Sequence, residues 1–263
     1  ICQFIVIISL VEIVIFIITC SAYGLSNSDF LAPDSRGISW GWSDVKKIRN
    51  DGQVWRFITP TLLHGHLEHI AGNLVGQLFM GTGIEDGLGV VRTVILYFLG
   101  GLGGILFSMD IRPYTHGVGA STAIFGLVGF YVAYIFSNFF YMGRKRAGQR
   151  WALIVYTSIM LLLNLNIGPH SDSHVDNWGH LGGFITGILV GLTLTEFYDM
   201  NARDKGRTPD RFTDEEYEKK SACCVAVRYL FLVLTILWFV ALFTVFYFFI
   251  DVDSLPDDDD DGN

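Results

Sequence analysis

The chain has 263 residues, 51% of them hydrophobic and 17% charged, with a mean hydropathy of +0.42. A soluble domain carries about 25% charged residues and lacks repeated apolar runs of about 20, so the composition excludes one and indicates a polytopic membrane protein with a single membrane domain. Five units of the formal net charge of −8 come from the terminal D-D-D-D-D run, so net charge says little about partners.

The sequence opens at Ile1 without a methionine and already inside an apolar stretch, so a preceding leader is expected to be missing from it. Seven apolar segments follow, at approximately 4–23, 64–83, 91–109, 120–141, 151–168, 179–198 and 226–250. The expected fold is all-α, a polytopic bundle of membrane helices. Between the first two segments runs a long loop, 24–63, ending in Q-V-W-R-F-I-T-P. Trp55 and Arg56 there fit a loop lying among lipid headgroups, and an ordinary aromatic anchor explains Trp55 equally well.

The second segment carries L-L-H-G-H-L-E-H-I-A-G-N-L. His69 and Asn73 are four residues apart and share a helix face, and His66 falls on nearly the same face. His64 does not, and is expected to brace the first loop. The fourth segment carries Ser121 in V-G-A-S-T-A-I-F-G, and the sixth carries His180 in W-G-H-L-G-G-F-I-T-G. Gly126, Gly129 and Ala133 follow Ser121, and Gly183, Gly187 and Gly191 follow His180. Such small-residue stripes let helix backbones approach, and plain helix packing accounts for them as well. Gly119 frees the backbone just before Ser121, where a Cβ would obstruct a substrate.

The remaining features carry no chemistry of their own. Cys2, Cys20, Cys223 and Cys224 form neither a metal pattern nor a disulfide framework. Cys223 and Cys224 suit either palmitoylation or a role as small apolar residues. The connector 199–225 mixes both charge signs, with a short helix expected at E-E-Y-E-K-K, and the acidic tail 251–263 reads as solvated.

Lysines and arginines orient the spans. Arg144, Lys145, Arg146 and Arg150 follow span four, and Arg203, Lys205, Arg207, Arg211, Lys219 and Lys220 follow span six. Alternating spans put both groups on one side, expected to be cytosolic. The loop after span five has no Lys or Arg. The first loop is rich in both, but long loops weigh less. The N-terminus is then expected in the cytosol and the acidic tail on the outer or lumenal side. Ser121, His180, His69 and Asn73 all fall near that outer side.

Polar groups at membrane depth are costly and mark function. A serine hydroxyl needs a base to take its proton, and histidine is the usual one. Peptide hydrolysis also needs donors aimed at the developing oxyanion, a part His69 and Asn73 can play. No third residue to orient His180 is evident, so a Ser–His dyad is expected. A channel or transporter using the histidines, Glu12 and Gln77 is disfavoured, because no inverted repeat or broken-helix pair is visible. The run H-G-H-L-E-H matches neither H-E-x-x-H nor H-x-x-E-H, since Gly65 stands where the latter needs its first histidine.

Over residues 40–198 the chain resembles the rhomboid proteases, through Trp55-Arg56, then His64, His69 and Asn73, then G-A-S at Ser121, then His180-L-G-G-x3-Gly187. The resemblance implies Ser121 as nucleophile and His180 as general base, with an oxyanion site from His69, Asn73 and the Ser121 N–H. It implies that Phe125 stands where the family often has a tyrosine packed against the histidine. It also implies that Glu85 stabilises the far end of span two. Thr122 replaces the glycine that often follows the nucleophile, which would crowd the oxyanion region or narrow the substrate subsite.

The expected organisation is a six-span catalytic core (1–198), the connector, a seventh helix (226–250) of the secretory-pathway type, and the tail. The expected partners are single-span membrane protein substrates and the lipid bilayer. No nucleic acid, cofactor or metal is expected. The alternative is a rhomboid-like protein that binds client helices without cutting them.

Overall fold

A computed structural model describes residues 3–26, 31–145, 147–164, 175–195 and 222–256. Most of the connector, the acidic run, the loop after span five and Cys2 lie outside them, as do the side chains of Cys223 and Cys224. Among the described residues no strand forms beyond one isolated bridge between Leu25 and Pro33.

Seven long helices answer to the seven apolar segments: α1 (Phe4–Tyr23), then after two short helices α2 (Ser35–Ser39) and α3 (Val45–Asp51), α4 (Leu67–Leu88), α5 (Val90–Ile111), α6 (Ser121–Lys145), α7 (Ala147–Asn164), α8 (Asn177–Leu194) and α9 (Ala222–Phe248). Among the described residues four of these, in α1, α5, α6 and α9, are long and apolar enough by themselves to cross a membrane. α4 is diluted by Glu68, His69, Asn73, Gln77, Glu85 and Asp86, and α8 by its glycines. The helices differ sharply in position: 72% of the Ser121–Phe139 window is buried, against 17% of Val225–Phe248. α6 is therefore the central post, and α9 presents a largely exposed apolar surface such as lipid covers.

The centre is built on absent side chains. α5, α6 and α8 meet where Gly100 faces Gly126, Gly187 lies on the Gly126 carbonyl, Gly183 on the Thr122 carbonyl, and Gly104 on the Gly179 carbonyl. A Cβ at any of these would strike backbone, which cannot swing aside, so glycine sets the helix spacing. On one flank, Ile5, Ile84, Leu96, Tyr97, Leu127 and Phe130 join α1 and α4 to this junction. On the other, Val45, Ile48, Leu106, Met109, Leu242 and Phe246 join α3 and α9 to α5.

Two polar devices fix α1. Gln3 makes no side-chain cap, and the Glu85 carboxylate of α4 accepts the N–H groups of Phe4 (2.7 Å) and Ile5 (3.0 Å) instead. Glu85 thus braces the far end of α4 by capping a neighbouring helix. In mid-bundle, Ser9, Glu12, Gln77 and Tyr97 bond to one another in a buried cluster. α9 is held at three heights. Arg228 Nε donates to the Thr193 carbonyl, Trp238 Nε1 to Thr186 Oγ1, and Arg49 of α3 to the carbonyls of Phe246 and Ile250.

Candidate active site

α6 begins where its chemistry is needed. The Ala120 carbonyl accepts the first intrahelical bond, from Ile124 N–H (3.0 Å), so the amides of Ser121, Thr122 and Ala123 precede it. Those free N–H groups carry the positive end of the helix dipole at the Ser121 position. The segment entering the helix is held by Gly119 N–H on the Pro60 carbonyl (2.8 Å) and by Ala120 N–H reaching His64 Nε2 (3.5 Å). His64 was expected to brace the first loop; its ring instead supports the approach to Ser121.

Gly119 has φ +126°, and a Cβ there would sit 2.5 Å from His69 Nε2 and 3.3 Å from Asn73 Nδ2. Its glycine thus has a different cause from the one expected: it makes room for His69 and Asn73 rather than for a substrate. Both side chains project from the first turns of α4, whose start is capped by His66 Nδ1 accepting the His69 N–H (3.2 Å). The ring of His69 packs against those of His64 and His66. Asn73 is buried, and its Nδ2 has no partner among the described residues.

From the other side comes α8. Asp176 caps it, its Oδ1 accepting Gly179 N–H (2.9 Å) and its carbonyl accepting His180 N–H (3.0 Å). The buried His180 ring lies on the Phe125 ring, centroids 4.4 Å apart and planes 13° apart. Phe125 is one turn after Ser121 on the same face of α6. Among the described residues His180 Nδ1 is enclosed without a partner, and no hydrogen bond joins Ser121 to His180. Catalytic hydrogen bonds often close only around substrate.

Thr122 does not point toward His69 and Asn73. Its Cβ and methyl pack on Gly104 of α5 and Gly179 of α8. One residue advances about 100° round a helix, so Thr122 turns into the glycine junction while Ser121 faces away from it. Crowding of the subsite, expected from sequence, therefore has no basis in this geometry.

The first loop is ordered by Arg56, which is 2% exposed. Its guanidinium donates to the carbonyls of Ser39 and Trp42 (both 2.9 Å), and its Nε to Gln53 Oε1 (2.8 Å). It is an internal clamp rather than a headgroup contact. Trp55 is half-exposed and donates to the Trp40 carbonyl. The loop joins the segment before Ser121 through Ser43, which accepts the Gly117 N–H at Oγ (2.8 Å) and donates its own N–H to the Gly117 carbonyl. The Trp42 ring stacks on that of His116.

Sequence reasoning missed Asp176 and its partner Ser108, whose Oγ donates to Asp176 Oδ1 (2.7 Å). The D-N pair before a helix is a legible cap signal; the reach from α5 is not. Burial pushes the Asp176 carboxyl above the usual range, against hydrogen bonds from Gly179 and Ser108 and the charge of Arg112.

A tight glycine-packed bundle with serine, histidine and amide groups gathered at one end of its central helix is the architecture of a polytopic membrane protein. The Rhomboid domain family model matches residues 51–197, more than half of the chain, and the chain belongs to the rhomboid family. It is similar to RHOMBOID-like protein 4 of Arabidopsis thaliana, 33% identical over 187 residues covering 69% of this chain and 46% of the relative. It is also similar to Rhomboid-like protease 3 (31% identical, 75% of this chain and 70% of the relative) and Rhomboid-like protease 2 (29%, 74% and 67%) of Toxoplasma gondii. The chain spans about half the length of the Arabidopsis relatives it matches. It is a multi-pass membrane protein of a family of intramembrane proteases.

Proposed function

We propose that this protein is an intramembrane serine endopeptidase in which Ser121 and His180 form a catalytic dyad. The observation that carries the reading is the meeting of three helices at the first turn of α6. His69 and Asn73 of α4 close on Gly119, and His180 of α8 stacks on Phe125. His180 Nδ1 is enclosed, so Nε2 is the nitrogen left to take the Ser121 proton. The freed Oγ attacks the scissile carbonyl carbon, and the negative charge that gathers on its oxygen is met by the Ser121 N–H, Asn73 Nδ2 and His69. The unpartnered Asn73 amide is a donor already desolvated and waiting for an acceptor. His180 then returns the proton to the leaving amine. Water, deprotonated by the same imidazole, releases the acyl group from Ser121.

The substrates are single-span membrane proteins, cut near the outer or lumenal boundary. The lysine and arginine distribution supports that side, with the N-terminus in the cytosol and the end of α9 across the membrane. Helix-weakening residues favour cutting, because the scissile bond must leave its helix to reach Ser121. The seventh helix, α9, docks on α5 and α8 of the core.

The test is labelling of the solubilised full chain by a fluorophosphonate probe, alongside cleavage of a single-span test substrate. Labelling and cleavage that vanish in Ser121→Ala and His180→Ala, with both variants folded, support the dyad. Cleavage that survives His180→Ala removes it. A folded wild type that binds the substrate but neither labels nor cuts is a helix-binding protein instead.

A further inference from the structure

The glycine contacts between α5 and α8 fix how near the two helices lie. Further along, Thr186 seats on Gly103 and Phe107 on Gly182, packing contacts that carry no hydrogen-bond direction. Near the Ser121 end a single oxygen supplies that direction. Asp176 Oδ1 accepts both Gly179 N–H of α8 (2.9 Å) and Ser108 Oγ of α5 (2.7 Å). Ser108 is buried, one turn beyond Gly104, on which the Gly179 carbonyl rests. The second carboxylate oxygen faces Gly117, where a Cβ would lie 3.6 Å away. The carboxylate therefore stands between α5, α8 and the segment leading to Ser121. His180 is one turn downstream, with its N–H on the Asp176 carbonyl. It sits in the part of a helix that frays first when a cap is lost.

We propose that Asp176 and Ser108 form a positioning pair that sets the height of the first turn of α8 against α5, and so places His180 relative to Ser121. Neither residue touches the reacting atoms; both act through α8. The pair needs an acceptor at position 176, and an asparagine amide oxygen can take the same two hydrogen bonds. The inference rests on the dyad reading for its kinetic consequence, but the tether itself is readable without catalysis.

The experiment combines steady-state cleavage of a single-span test substrate in liposomes with amide hydrogen exchange over residues 177–182. Asp176→Ala is expected to lower kcat by about 10- to 100-fold with KM within about 2-fold, as misplacement of a base does. Asp176→Asn is expected to restore kcat to within about 3-fold of wild type, since asparagine caps as well as aspartate. Ser108→Ala is expected to lower kcat by about 3- to 10-fold, the usual scale of one ordinary hydrogen bond. The double variant Ser108→Ala/Asp176→Ala is expected to be no worse than Asp176→Ala alone, because the serine acts through the carboxylate. Exchange at Gly179 and His180 quickens in both alanine variants and not in the asparagine one.

Unchanged kcat and exchange in Asp176→Ala overturn the proposal. So does failure of asparagine to rescue, or a double variant whose loss is the product of the single losses. Should Asp176→Ala not fold, Ser108→Ala carries the same two readouts. A wild type that cuts nothing overturns the protease reading, and amide exchange then decides for or against the tether alone.

Discussion

Gly183→Ala tests whether helix spacing controls the site. The added Cβ would lie on the Thr122 carbonyl oxygen, closer than carbon and oxygen tolerate. Thr122 C would be 3.1 Å and Gly100 O 3.4 Å away. Every near neighbour is backbone, so relief requires α8 to move from α6 by roughly 1 Å in an interior that is close-packed. Overpacking of this kind costs about 1–3 kcal/mol. The catalytic effect is larger, because the same shift carries His180, three residues earlier on α8, away from Phe125 and Ser121. A displacement of about 1 Å at a reacting group lowers rate by about 100-fold. The assay is substrate cleavage at equal folded protein, with thermal unfolding in the same detergent. Gly148→Ala in α7 is the control, since a Cβ there meets nothing within 4 Å; it is expected to leave the rate unchanged and to stabilise by up to about 1 kcal/mol. Wild-type rate and stability in Gly183→Ala would refute the reasoning.

Substitutions at three other positions probe particular contacts. Phe125→Tyr keeps the ring on His180 and is expected to cut within about 3-fold of wild type. Phe125→Ala removes a stack worth about 0.5–1.5 kcal/mol and should lower kcat by about 3- to 10-fold, measured on the same substrate. In the mid-bundle cluster, Ser9 Oγ donates to the Ile5 carbonyl, so it must accept from Gln77 Nε2, which turns Gln77 Oε1 toward Tyr97 OH. The hydroxyl has one proton, given to Gln77, and its bond with Glu12 Oε1 then needs a proton from the Glu12 side. Glu12→Gln supplies an N–H there and is expected to keep the thermal midpoint within a few degrees. Glu12→Leu leaves one Gln77 N–H without its acceptor, at about 1–3 kcal/mol, and should lower it clearly. Arg49→Ala removes the bonds to Phe246 and Ile250 and is expected to speed proteolytic nicking near the end of α9.

Helix positions were legible because apolar length is a one-dimensional signal, and the seven segments recur as seven helices with ends displaced by a few residues. The candidate residues were legible for a related reason: a histidine, a serine or an asparagine stands out against apolar neighbours. What sequence could not give was direction around each helix and contact across the fold. Thr122 read as an intruder because adjacency to Ser121 looked like proximity to the site, whereas helical rotation carries it to Gly104 and Gly179. Arg56 read as a surface cation because nothing in Q-V-W-R-F shows the carbonyls of Ser39 and Trp42 folded over it. Ser108 was invisible, being an ordinary small residue of α5 whose partner lies 68 positions away.

The buried polar atoms left without partners point the same way as the convergence of helices. Among the described residues some, such as Ser137 Oγ, Thr157 Oγ1 and Thr195 Oγ1, lie elsewhere in the bundle, while His64 Nδ1, Asn73 Nδ2, Thr122 Oγ1 and His180 Nδ1 lie in the first turns of α4, α6 and α8 or the segment just before α4. Each unpaired group costs about 1–3 kcal/mol, so their gathering at one end opposes folding. The opposing gain is in the glycine junction directly beneath, where three backbones meet and little can shift. A rigid floor lets the layer above remain unsatisfied without collapsing to pair its own donors. Asn73 in particular lies against Gly119, where a Cβ would stand 3.3 Å from its Nδ2. Donors held apart in this way remain available to an oxyanion, and the stability forgone at the site is what keeps them free.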